Sequence, residues 1–106
     1  MKIYRCRTSI DDEKKAHEMA NAIVSDHLAS SAHIKQIESF YGWDGKVQNG
    51  IEYEVEFLCI HPEFLYHKMK ALHTYEMPEF LIEEVNCSDG INRWCVKWCE
   101  EYRGKM

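Results

Sequence analysis

No stretch of this 106-residue sequence approaches the ~20 consecutive apolar residues that a membrane-spanning helix needs. The first seven residues do not read as a signal peptide either, because Lys2, Arg5 and Arg7 interrupt the apolar ones. Basic residues are the minority, 13 against 18 acidic, for a net charge of -5. That balance disfavours nucleic acid as the main partner, which calls for a basic face. Catalytic signatures are missing too. There is no glycine-rich phosphate loop, no Gly-x-Ser-x-Gly elbow and no His-Glu-x-x-His, so no enzyme is expected. Cys-x-x-Cys is absent although there are five cysteines, Cys6, Cys59, Cys87, Cys95 and Cys99. An odd set without a secretory leader reads as reduced thiols, and so as a cytoplasmic protein. Cys95 and Cys99, four apart, hint at soft-metal binding, but small buried hydrophobes account for them more simply.

What is present is a single-domain chain over residues 1–106, with 45% hydrophobic residues and enough length to bury roughly 65% of its extended surface. Lys2 to Thr8 predicts a strand. Ser9-Ile10-Asp11-Asp12-Glu13 then opens a helix, with a capping hydroxyl and acids where the helix dipole favours them. Ala16, Met19, Ala20, Ile23, Val24 and Leu28 form its inner stripe. Ser31 to Trp43 predicts a second strand, with a bulge or kink at Lys35-Gln36 because Ile34 and Ile37, three apart, cannot share one face. Asp44-Gly45 makes a hairpin turn. Tyr53, Val55 and Phe57 then alternate with Glu52, Glu54 and Glu56, the acidic face reading as solvated. Pro62 begins a second helix, residues 79–87 a fourth strand, and Ser88-Asp89 a third helix. The order βαββαβ plus a helix predicts an α+β, ferredoxin-like sandwich.

The second strand is long for its domain. Thirteen residues at ~3.3 Å each reach roughly 43 Å, against about 33 Å for a domain of this size. Its hairpin must bend or project as an arm. A projecting arm carrying Phe40, Tyr41 and Trp43 needs a partner chain to cover it.

Ser39-x-Tyr41-x-Trp43-x-Gly45-Lys46, followed by His73-Thr74-Tyr75-Glu76-Met77-Pro78-Glu79 and preceded by Leu28-Ala29, resembles the CutA family of divalent-cation-tolerance proteins. The resemblance implies a homotrimer and a function in divalent metal binding and tolerance, copper(II) before zinc. It implies His73 as a metal ligand, and Glu76 beside it adds a donor of the type Cu(II) or Zn accepts. In metal-binding members a thiol near the end of the first strand and a second adjacent histidine assist. Here those positions hold Thr8 and Leu72, and Leu28-Ala29-Ser30-Ser31 likewise lacks the family's thiol. His73 thus stands between a ligand role and a helix-end cap.

Tyr41, Trp43, Lys46 and Tyr75 are candidates for a pocket or an interface between subunits. The family's trimeric architecture also resembles that of PII signalling proteins, which keeps a second function open: a trimer that binds a small ligand or partner, its metal site lost.

Overall fold

The core forms where the first strand meets two helices. In the computed structural model, which describes residues 1–102, β1 (Ile3–Ile10) buries Cys6, Thr8 and Ile10 on one face. They pack with Val55, Phe57 and Cys59 of β3 (Lys46–Cys59), with Ala16, Met19 and Ile23 of α1 (Glu13–Ser25), and with Leu65 and Met69 of α2 (Pro62–Leu72). The sheet is antiparallel in the order β2-β3-β1-β4, with β2 at Ser31–Trp43 and β4 at Leu81–Val85. This is the ferredoxin-like arrangement expected.

The appended helix α3 (Asp89–Cys99) serves the other face. Ile3, Leu58 and Val85, of opposite parity to the core set, pack with Cys95, Cys99 and Trp98. The apolar run at the end of β3 is thereby explained, since it is covered on both sides there. α3 docks on its own subunit: Trp98 Nε1 donates to the Val24 carbonyl at 3.2 Å, and the His27 ring stacks on Trp98 at 3.9 Å. His27 ends α1 with φ 62, while the amides of His27 and Leu28 reach back to the carbonyls of Val24 and Ile23. Those two bonds and the buried Leu28 make a Schellman stop.

The expected bulge does not occur. Pairing of β2 with β3 runs without interruption from Ser31↔Leu58 to Trp43↔Lys46. Ile34 lies opposite Val55 and packs on the core, whereas Ile37 lies opposite Glu52 on the other face. Their spacing of three marks a change of face as the strand leaves the helices. Asp44 and Gly45 turn the hairpin with φ of 54 and 72, both in the left-handed region that a two-residue turn of this twist requires. Other boundaries also move. Ser9 and Ile10 remain in β1, and the α1 cap is Asp12, whose side chain accepts from the Lys15 amide at 3.0 Å. β3 begins at Lys46 and β4 shrinks to five residues. The arm is long, and the chain's extents are 44 × 27 × 21 Å. Residues 103–106 of the domain expected over 1–106 lie outside the described part.

Candidate functional site

α2 stops at His73, whose backbone turns extended (φ -79, ψ 148) and starts a loop crossing the end of β1. The His73 ring fastens this loop twice. Its Nε2–H donates to the Ser9 carbonyl at 2.9 Å, and its Nδ1 accepts the Tyr75 amide at 3.0 Å. Only the neutral, Nε2-protonated ring makes both bonds, because an imidazolium has no acceptor. Burial holds its pKa below the ordinary histidine value, against the opposing pull of Ser9, Asp11 and Glu52. Two residues on, the Tyr75 hydroxyl donates to Glu52 Oε2 at 2.6 Å, a short bond to a carboxylate. Burial first, and then Glu52, push the Tyr75 pKa above the ordinary phenol value.

Beside this lock lies a cleft of about 840 Å³. Its walls come from the arm (Ile37, Tyr41, Trp43), from Glu52 on β3, and from Tyr75, Glu76 and Met77 of the loop. Of the residues singled out from sequence, Tyr41, Trp43, Tyr75 and Glu76 thus come together. Lys46 does not join them: it lines the turn at the arm's tip, paired across from Trp43. His73 stands behind Tyr75, in the part-buried bonds described above. Glu52 was missed. Its alternation with Glu54 and Glu56 suggested a solvated face, yet all three are half-buried, and Glu54 pairs with Lys35 at 3.5 Å. The period of two assigns the face; only the loop's return over it reveals that the face is occupied.

These residues test the fit of a divalent cation. An ion reaches a His73 nitrogen only if the ring surrenders the Ser9 or the Tyr75 bond. Thr8 is 1% exposed with no hydrogen-bond partner for its hydroxyl among the described residues, and Leu72 packs against the core. No grouping of three or more His, Cys, Asp or Glu suited to a metal occurs among the described residues. As arranged in one chain, the set does not fit a tightly held ion. The reachable donors are the carboxylates that line the cleft, Glu52 and Glu76 together with Glu38 and Glu79.

The thiols stand apart from this cleft. Cys6 and Cys59 face each other across β1 and β3, sulfur to sulfur at 3.7 Å, and Cys95 and Cys99 are buried under α3. The neighbouring thiol and then burial push Cys59 and Cys99 up, so both stay protonated and behave as small apolar groups.

The family model described as CutA1 divalent ion tolerance protein matches residues 5–101. The chain belongs to the CutA1 family. Among its relatives, the divalent-cation tolerance protein CutA of Pyrococcus horikoshii is 26% identical over 98 residues, 89% of this chain and 91% of that protein. The chloroplastic protein CutA of Arabidopsis thaliana is 34% identical over 79 residues, which are 69% of this chain but only 42% of the plant protein. Among solved structures, CutA1 from Ehrlichia chaffeensis superposes with a TM-score of 0.86 at 22% identity, over 93% of this chain and 97% of that one. The periplasmic divalent cation tolerance protein CutA from Archaeoglobus fulgidus gives 0.88 at 18% identity, over 92% and 98%. At those identities the superpositions speak for the CutA1 fold. No helix of the described residues is long and apolar enough to cross a membrane.

Proposed function

We propose that this chain forms a homotrimer serving divalent-cation tolerance, and that it meets cations weakly at Glu52 and Glu76, with His73 joining when its ring leaves Ser9. The family match over residues 5–101 carries this reading. The cation to test first is copper(II), then zinc. Two carboxylates supply oxygen donors and an imidazole the nitrogen that Cu(II) prefers. Five free thiols support a reducing compartment, the cytoplasm. The relatives' names describe tolerance and no catalysis, which supports a non-enzymatic role.

Calorimetric titration of Cu(II) into wild type, His73→Ala and Glu76→Gln tests the proposal. Binding heat that shrinks in Glu76→Gln supports it. Equally negligible heats in all three would remove cation binding from the function.

The cleft favours a second reading, a trimer that binds a small organic ligand. Its volume of about 840 Å³ and its mixture of apolar wall with a few polar groups suit one.

A further inference from the structure

The chemistry of the cleft narrows what such a ligand is. Tyr41 and Trp43 line the cleft from the arm and are 48% and 59% exposed in the single chain. Ile37 and Met77 add aliphatic wall. Four carboxylates, those of Glu38, Glu52, Glu76 and Glu79, line the same space, with no lysine, arginine or histidine among its lining residues.

Some carboxylates elsewhere on the chain are paired with a cation. Glu83 pairs with Arg5 at 2.6 Å, Asp26 with Lys68 at 2.9 Å and Glu54 with Lys35 at 3.5 Å. Among the described residues, none of the four cleft glutamates has a cation within ion-pair reach. Like-signed groups in a concave, partly apolar wall focus a negative potential into the space they enclose. An organic anion is repelled by it, and a neutral aromatic ring leaves the carboxylates unmatched. A bare metal ion leaves the rings unused. An ammonium group on an apolar body uses both, since aromatic faces attract cations and carboxylates accept charge-assisted hydrogen bonds.

We propose that this cleft binds a small organic cation, an alkyl or aryl amine whose ammonium lies over Trp43 or Tyr41 and donates to Glu52 and Glu76. The proposal rests on the ligand-binding reading above, and metal titration tests the cation reading separately. The assembled protein is the one to use, since the homotrimer proposed above brings neighbouring subunits to the arm.

The probes are phenethylamine, its neutral isostere 2-phenylethanol and the anionic 3-phenylpropionate, titrated at neutral pH and followed by tryptophan fluorescence and calorimetry. The amine is expected to bind about tenfold more tightly than the alcohol, with the anion weakest. Glu76→Gln and Trp43→Leu, each verified as folded by circular dichroism, are expected to weaken the amine several-fold. Glu13→Gln, at the exposed start of α1, is expected to change nothing. Equal binding of amine and alcohol would overturn the cationic class while leaving a ligand cleft in place. Absence of amine binding, or unchanged binding in both cleft variants, would overturn the site.

Discussion

Tyr75 and Glu52 meet at 2.6 Å across two parts of the chain 23 residues apart, and their bond ties the loop after α2 to the base of the arm. A hydrogen bond to a charged acceptor is worth about 1.5–3 kcal/mol when buried. Here both groups are part-exposed, so about 1 kcal/mol is expected. Tyr75→Phe should lower unfolding free energy by that amount in urea. Because the folded-state pKa of Tyr75 lies above the unfolded one, the ionised phenol is disfavoured in the fold. The tyrosine's contribution is therefore present below about pH 10 and is lost as the pH rises beyond it. Wild type should lose stability on that alkaline limb more steeply than Tyr75→Phe does.

His73 predicts the opposite limb. Its pKa in the folded chain is lowered, with burial as the main cause. The neutral ring is therefore the folded form, and its contribution is present above the unfolded value of about 6.5 and lost as pH falls below it. Protonation removes the Nδ1 acceptor from the Tyr75 amide. Urea midpoints measured from pH 8 to pH 5 should fall for wild type, and less so for His73→Gln.

Trp98 anchors α3 to the end of α1 through its side-chain hydrogen bond to Val24 and its ring stack on His27, while its carbonyl accepts from His27 Nδ1–H at 2.9 Å. Phenylalanine keeps the ring and loses the N–H, leaving the Val24 carbonyl without that donor. Trp98→Phe should cost about 1–2 kcal/mol by denaturant titration. Trp94→Phe, at a position 46% exposed, should cost less than about 0.5 kcal/mol.

The arm carries apolar groups on two faces. Tyr41 and Trp43 look into the cleft. Phe40, Val47 and Ile51, of the other parity, are 68%, 77% and 47% exposed, and Phe40 also borders the cleft. Soluble monomers rarely leave such a patch bare. Phe40→Asp should weaken assembly by placing a charge in the covered seam, seen as dissociation at higher protein concentration in analytical ultracentrifugation.

Much of this architecture was legible in the sequence because periodicity reports burial directly. The stripe of α1, the Asp44-Gly45 turn and Pro62 at the head of α2 each state a local rule that the fold obeys. Ser9 was misread as a helix cap because a hydroxyl followed by acids satisfies the same pattern as Asp12 three residues later; strand pairing with Glu54 decided it. The bulge at Lys35-Gln36 was inferred from a single-face assumption that fails once the strand outruns its helices. In the site, the motif located Tyr41, Trp43, Tyr75 and Glu76, but Glu52 enters through a loop contact that no local pattern encodes. The motif points to His73, while its double hydrogen bond is a tertiary fact.

The homotrimer is the claim on which the cation reading and the covered arm both depend. Multi-angle light scattering on the purified chain at micromolar concentration tests it most directly. The account predicts a mass of about three times the 12.6 kDa chain. A folded protein running at the mass of a single chain would contradict it.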